Sequence, residues 1–372
     1  MKILHITSHL NTGGITTYLL TLIKEQKKAG HEVSIWSSPG TCRDAFRECC
    51  AEVVCDVPRC KSELSPRLWA QLPGLTSFLK SRVIQIIHTH TRVGQVLATA
   101  ATRFIDIPHV STAHMFYKRR LGRRLFPCWG KTVIAISQTM QQGLVDIFGA
   151  ENLPPIKVVT NGIDIFGLQS RVDKVDRHVA RGKYGYTQDH IVILALSRQI
   201  PVKGTHILIE AFAIAHQQIP KLRLLIAGAG DEDYLAQLRE QVQRLKLQDV
   251  VVFIGNEPAI EEPFKAADIY AAPFMWPEAF GLSILEAMAA GLPVIGSDSG
   301  GISELLGRGS YGLLFQEAHV PELVRCLITY AKDPDLRRKM SAAAKQVSSD
   351  YSSEKMCRQI QEVYEEVLEA KR

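Results

Sequence analysis

KILHITSHLNTGGITTYLLTLIKEQKKAGHEVSIWSS, residues 2–38, passes from a short apolar run through a Gly-Gly turn into an amphipathic stretch and out into a second apolar run. A strand-length run, a turn, a helix-length period and another strand-length run describe a βαβ unit, whose two strands must lie parallel. The rhythm continues through VIQIIHTH (83–90), HVSTAH (109–114), TVIAIS (132–137) and IKVVTNG (156–162). These runs are continuously apolar rather than alternating, as strands are when a parallel sheet is covered by helices on both faces.

From Ile191 the rhythm restarts, with IVILALS, LRLLIAGAG, VVFIGN, ADIYAAP and LPVIGSD separated by helical stretches such as THILIEAFAIAHQQ and DYLAQLREQVQRLK. The fold class is therefore α/β, with two doubly wound domains over residues 1–165 and 166–352. The polar stretch from Asp164 to Gln188 reads as the linker between them. The terminal helix over 353–372, with Ser before its charged first turn, is expected to pack back on the first domain. Ligands of such sheets bind beyond the carboxyl ends of the strands, so a cleft between two facing domains is the expected site.

A chain of 372 residues suits two such domains, and 46% hydrophobic with 22% charged residues is a globular composition rather than a disordered or fibrous one. The net charge of +6 is uneven: residues 1–165 hold 20 Lys+Arg against 11 Asp+Glu, and the remainder 24 against 27. A polyanionic partner should meet the first domain. The N-terminal residues lack the long apolar run of a signal peptide, and no stretch reaches the roughly 18 apolar residues of a spanning helix. The expectation is a cytoplasmic protein, with a peripheral position at the inner face of the cytoplasmic membrane left open. Five of the eight cysteines fall between Cys42 and Cys60 without a C-x-x-C pair or a histidine at zinc spacing, and read as reduced, partly buried thiols.

Gly13 and Gly14 occupy the turn before the first helix, where backbone N–H groups can hold a phosphate. The plain alternative is a turn in which glycine only supplies a positive φ. AGAGDED at residues 227–233 has Asp233 where a dinucleotide fingerprint needs its third glycine, which weakens an oxidoreductase reading. Its acids, like those of Asp333 to Asp335, suit helix N-termini better than metal ligation. SRQIPVKG, residues 197–204, follows a strand and sets Arg198 and Lys203 where two cations could grip a diphosphate; a solvated loop is the alternative.

PEAFGLSILEAMAAGLPVIGSDSGG, residues 277–301, holds Glu278 just before an apolar helix and Glu286 inside it, with seven residues between them. An unpaired carboxylate on that Ala- and Leu-rich segment is costly unless it accepts hydrogen bonds, for example from ligand hydroxyls. Helix-start amides and the Arg198–Lys203 pair around a diphosphate, with a carboxylate on each side for hydroxyl-rich groups, match the layout of a nucleotide sugar. A capping acid plus a buried salt bridge is the alternative.

Together TGGITTY, STAH, TNGID, SRQIPVKG, AGAGD, PEAFGLSILEAMAAGLPV and SGGISE resemble the retaining glycosyltransferases of the group 1 / family 4 type. These have two Rossmann-like domains facing across a cleft, the GT-B fold, and an E-x7-E motif. The resemblance implies that Glu286 binds the nucleotide ribose, while Glu278 with the backbone of Phe280, Gly281 and Leu282 binds the transferred sugar and phosphates. It implies that Arg198 and Lys203 hold the diphosphate, that Gly14 with Gly13 closes over the donor, and that His114 lies beside the donor sugar. Without it, His114 reads as a core histidine at a strand end. His88 and His90 read as structural, since further metal ligands are lacking in the sequence. Front-face displacement with retention would rest on stabilising the departing diphosphate, with no metal and no cofactor called for.

The acceptor is expected on the first domain. MFYKRRLGRRLFPCW, residues 115–129, interleaves Lys118, Arg119, Arg120, Arg123 and Arg124 with aromatic and apolar residues, as a segment meeting anionic headgroups would. That points to a lipid-linked or envelope glycan acceptor, of the kind used in polysaccharide or lipopolysaccharide synthesis, and to no nucleic-acid partner. The alternatives left open are a solvated face at 115–129, a sugar-nucleotide 2-epimerase or phosphorylase on the same architecture, and a non-catalytic membrane-binding scaffold.

Overall fold

The computed structural model of the chain describes residues 1–371 apart from Asp56, Lys61, Arg119, Arg120 and Pro258; the side chains of Leu121 and Arg124 also lie outside the description. The chain forms two compact units, Met1–Ile163 joined by the segment from Ser352 onward, and Asp164–Tyr351. Each is built on one parallel sheet.

In the first unit the strands are β1 (Lys2–Ile6), β2 (Glu32–Trp36), β3 (Glu52–Val54), β4 (Ile86–Thr89), β5 (His109–Ala113), β6 (Val133–Ala135) and β7 (Ile156–Val158). Their order is β3-β2-β1-β4-β5-β6-β7, so the chain winds one way from β1 and then returns to wind the other way from β4. Successive side chains of a strand point to opposite faces. Ile3 of β1 enters a core with Leu19, Leu22 and Ile360, and Leu4 and Ile6 enter a second core with Trp36, Phe78 and Leu97. The helix Ser353–Glu369 buries Met356, Cys357, Ile360, Val363, Tyr364 and Val367, one stripe at helical spacing, against the first of these cores. Ser352 caps it by accepting a hydrogen bond from the Lys355 amide.

The second unit holds β8 (Ile191–Leu196), β9 (Leu222–Ala227), β10 (Val251–Gly255), β11 (Ile269–Ala272), β12 (Val294–Ser297) and β13 (Gly312–Phe315), in the order β10-β9-β8-β11-β12-β13. The winding reverses between β8 and β11, which are hydrogen-bonded neighbours. A core of Leu208, Ile209, Phe212, Leu327 and Tyr330 covers one side of this sheet.

Two strands escape the sequence reading. They are β3 and β13, each at a sheet edge and spanning three and four residues.

The expected linker over 164–188 is instead structured and belongs to the second unit. Asp164 caps the helix Ile165–Lys174 and Asp176 caps the helix Arg177–Lys183. Arg181, only 2% exposed, bonds to Asp268 Oδ2 at 2.5 Å, and Arg177 bonds to Asp268 Oδ1 at 2.6 Å. The charges that suggested a solvated linker are thus helix caps and one carboxylate shared by two guanidinium groups. All eight cysteines are free.

Candidate active site

The reversal of winding in a parallel sheet leaves a crevice at the carboxyl ends of the two strands that flank it, because the connections from those strands diverge to opposite faces. In the second unit β8 runs into residues 197–204 and β11 runs into the loop at residues 273–281. The structure therefore brings SRQIPVKG and the first glutamate of the E-x7-E motif to one edge. Lys203 Nζ lies 2.5 Å from Glu278 Oε2 and sits over the Phe274 ring, 3.9 Å from its centroid. The sequence reading put these two charges on separate tasks; here they touch.

Glycines make this approach possible. Gly204 has φ 69° and a side chain there would meet the Pro273 carbonyl oxygen at 1.8 Å. Gly300 has φ 55° and backs against Glu278, while the Gly301 amide donates to the Glu278 carbonyl oxygen at 2.7 Å. The Ser-Gly-Gly turn after β12 thus holds the Glu278 backbone in place. Gln199, fully buried, donates to the Ser197 and Ala227 carbonyl oxygens and accepts from the Thr205 hydroxyl at 2.7 Å, which ties the β8 loop to the β9 loop. The Arg198 side chain is exposed and makes no hydrogen bond or ion pair among the described residues.

The helix Leu282–Ala289 starts at Gly281, which has φ 100°. Phe280 is buried and meets Tyr351 edge-on at 5.7 Å between ring centroids. The Ile284 and Leu285 amides donate to the Gly281 carbonyl oxygen, which leaves the Leu282 and Ser283 amides ahead of the helical hydrogen bonds, where the peptide dipoles add positive potential. Glu286 is partly buried, and its carboxylate has no hydrogen bond or ion pair among the described residues. Burial pushes its pKa from 4.5 up to about 7, against a smaller opposing pull from Arg171. Beneath it the buried Tyr270 hydroxyl donates to the Leu196 carbonyl oxygen at 2.9 Å, which joins the ends of β11 and β8. Its pKa is raised, first by burial and also by the charges of Glu286 and Glu278. Tyr270 lies inside a uniformly apolar strand run, so nothing in the sequence marked it as part of the site.

The acids of AGAGDED and of Asp333–Asp335 are at helix starts. Asp231 accepts from the Tyr234 amide and Asp333 from the Leu336 amide, as N-caps do.

In the first unit Gly13 and Gly14 stand at the start of the helix Gly14–Lys28. The plain reading of this pair fails: Gly13 is extended, Gly14 is not among the positive-φ residues, and nothing lies within 4 Å of where either Cβ would be. Neither backbone strain nor crowding inside the unit requires glycine there.

His114 follows β5 and is partly buried. Its Nε2 is 3.0 Å from His90 Nδ1, and its ring meets Tyr18 edge-on at 4.7 Å between centroids. Burial pushes its pKa down to about 3, so the ring is neutral near pH 7. His5, His88 and His90 offer ligand atoms within 4.8 Å of one another, a spacing that three metal ligands could share. Each of their six ring nitrogens, however, already has a hydrogen-bond partner.

The basic segment 115–129 is corrected in part. Arg123 is 7% exposed, lies 4.2 Å from the Tyr117 ring centroid and 4.7 Å from that of Trp129, and donates to Gln95 Oε1. It therefore packs inside rather than facing headgroups, since a guanidinium stacks on aromatic faces when so desolvated. Met115, Lys118, Leu125 and Phe126 are exposed. Arg119, Arg120 and the Arg124 side chain lie outside the described residues. No helix among the described residues is long and apolar enough to cross a membrane.

The family described as "Glycosyltransferase Family 4" matches residues 12–165, and "Glycosyl transferases group 1" matches residues 176–347. A phosphatidyl-myo-inositol mannosyltransferase of Mycobacterium tuberculosis is 27% identical over 374 residues, covering 95% of this chain and 93% of that protein. N-acetyl-alpha-D-glucosaminyl L-malate synthase of Bacillus anthracis is 30% identical over 283 residues, 70% of this chain and 73% of that protein. The crystal structure of Anabaena HepE in complex with UDP and glucose superimposes with a TM-score of 0.82 at 25% identity, covering 98% of this chain and 100% of that one. With two Rossmann-like sheets and the ordered motifs at their strand ends, the chain belongs to the group 1 glycosyltransferases of GT-B fold and is a glycosyltransferase.

Proposed function

We propose that this enzyme moves a sugar, with retention of anomeric configuration, from a nucleoside-diphosphate sugar to a hydroxyl of a lipid-linked or envelope glycan acceptor. The observation that carries the reading is Glu286: a partly buried carboxylate without a hydrogen-bond or ion-pair partner among the described residues, on the helix that follows the Glu278–Lys203 pair. Such a group costs stability and is retained where a ligand donates to it. In this reading Glu286 accepts from a ribose hydroxyl pair, and Glu278 with the Phe280, Gly281 and Leu282 backbone holds the sugar. Arg198 and Lys203 neutralise the diphosphate as it leaves. Gly13 and Gly14 let backbone approach the donor, and His114 contacts the donor sugar. Positive groups fixed before the reaction stabilise developing charge without reorganising, and need supply only a few kcal/mol each.

Thermal unfolding against UDP, GDP, ADP and their sugars tests the donor class. Binding to the folded state alone should raise stability by about 2.7 kcal/mol at a hundredfold excess over Kd. Nucleotide release that depends on added acceptor, with the product anomer read by NMR, would exclude an epimerase or phosphorylase; no stabilisation by any of these compounds would defeat the reading. A non-catalytic scaffold predicts no turnover at all.

The acceptor side rests on two supports: the M. tuberculosis relative is named for a phosphatidylinositol substrate, and Met115, Lys118, Leu125 and Phe126 of the 115–129 segment are exposed. Replacing Leu125 and Phe126 by Ser should weaken co-sedimentation with vesicles containing anionic lipid, while Arg123→Gln should act on stability instead. Unchanged sedimentation of the double variant would remove the membrane contact from the proposal.

A further inference from the structure

Strand geometry gathers the first unit's histidines on one face. β1 pairs β4 with His5 opposite His88, and β4 pairs β5 with His88 opposite Val110. Side chains alternate along a strand, so His5, His88, His90, Thr112 and His114 share the face covered by the helices that carry Gln26 and Tyr364. They form a continuous hydrogen-bonded chain. His114 Nε2 meets His90 Nδ1 at 3.0 Å, and His90 Nε2 meets His5 Nδ1 at 2.9 Å. His5 Nε2 then meets Gln26 Oε1 at 2.8 Å, and Gln26 Nε2 donates to the Tyr364 hydroxyl at 3.3 Å. The Tyr364 hydroxyl meets His88 Nδ1 at 2.6 Å, and His88 Nε2 meets Thr112 Oγ1 at 2.6 Å.

The four imidazoles are neutral, because burial holds their pKa values low. A neutral imidazole has one N–H and one lone pair, so each ring that donates at one nitrogen must accept at the other. Two polarities satisfy the whole chain, and turning the Gln26 amide over would interchange them. Tyr364 selects one of them. A phenol is a stronger hydrogen-bond donor than an imidazole N–H, and an imidazole lone pair is a stronger acceptor than a phenol oxygen. Tyr364 therefore donates to His88 Nδ1, and its oxygen is left to accept from Gln26 Nε2. Gln26 Oε1 must then accept from His5 Nε2–H, His5 Nδ1 from His90 Nε2–H, and His90 Nδ1 from His114 Nε2–H. Hydrogen bonds in series polarise one another, which favours one direction throughout.

We propose that His90, His5, Gln26 and Tyr364 are positioning residues that hold His114 as the Nε2–H tautomer. His114 Nδ1, which has no hydrogen-bond partner among the described residues, is then an acceptor, and the group it receives is a donating hydroxyl of the substrate. The second half of this inference rests on the reading that His114 touches the donor sugar; the first half does not.

Long-range proton–nitrogen NMR of the full chain with 15N-labelled histidine reads the tautomers without any ligand. His5, His88, His90 and His114 should all show a protonated Nε2 and a bare Nδ1. A protonated Nδ1 at His114 would overturn the proposal, as would displacement of these resonances by one equivalent of zinc. Tyr364→Phe removes the selecting donor, so Nδ1–H tautomer should appear at His114. KM for the donor should then rise roughly threefold to tenfold, the loss of one neutral hydrogen bond, with a smaller change in kcat. A His114 tautomer unchanged in that variant would contradict the chain. If Tyr364→Phe does not fold, the unmodified protein's tautomers decide alone. Correct tautomers with no nucleotide sugar bound would defeat the proposed function and leave the relay standing.

Discussion

Replacing Lys203 by Ala is expected to lower kcat/KM about 10²–10³-fold, the usual cost of removing one fixed group that stabilises a departing anion. The structure adds a second cost. Lys203 Nζ is the ion-pair partner of Glu278, whose side chain is 32% exposed. Its removal leaves a carboxylate unneutralised where an anionic diphosphate is proposed to bind. Binding of a nucleoside diphosphate should thus fall by more than the loss of one cation explains. Lys203→Ala combined with Glu278→Gln should recover part of that affinity, because the repulsion is gone, while turnover stays low. Calorimetric titration of the two single variants and the double variant measures this coupling. Equal affinities for Lys203→Ala and the double variant would mean that the pair does not act as a charge unit.

Glu286→Gln should stabilise the protein at pH 8 and weaken the donor. Burial lifts the Glu286 pKa from 4.5 to about 7 in the folded protein. The folded state therefore holds this proton more tightly than the unfolded chain does. The sign follows: the group costs nothing below about pH 4.5, its cost grows as pH rises from there to about 7, and above 7 it is complete, on the order of 3 kcal/mol at most. Gln does not ionise, so stability profiles of the two proteins should converge in acid and separate towards pH 8. Binding has the opposite dependence. The ionised carboxylate accepts two hydroxyl bonds, so donor affinity should decline about tenfold per unit below pH 7 and lose this dependence in Glu286→Gln. At pH 8 the substitution should weaken binding roughly tenfold to hundredfold, as loss of a hydrogen bond to a charged group does. A nucleotide sugar rather than a free diphosphate is the right probe, since it has no phosphate monoester titrating near pH 6. Identical, flat affinities for both proteins from pH 6 to 8 would sink the assignment of Glu286 to a hydroxyl pair.

Much of this site was visible in the residues alone, because its parts are local. SRQIPVKG follows β8, PEAFG follows β11, and the Gly-Gly pairs stand at strand-to-helix turns, each fixed by its own neighbours in the sequence. The helices over 165–183 were misread because a charge pattern that suits water also suits caps and a shared Asp268. Arg123 was misread for the related reason that a guanidinium can stack between rings. Residues of apolar strands, such as Tyr270, carry no signal of what their polar atom meets.

By itself the sequence determined the α/β class with two parallel sheets, and a period of two sends His88 and His90 to one face of a strand. Only the tertiary structure decided which distant groups meet. Lys203 finds Glu278 across 75 residues and Gln26 finds Tyr364 across 338. Periodicity records which face a side chain takes within one element. The packing of elements far apart in the chain sets which partner waits there, and that partner fixes charge pairing at Glu278 and hydrogen-bond direction at His114.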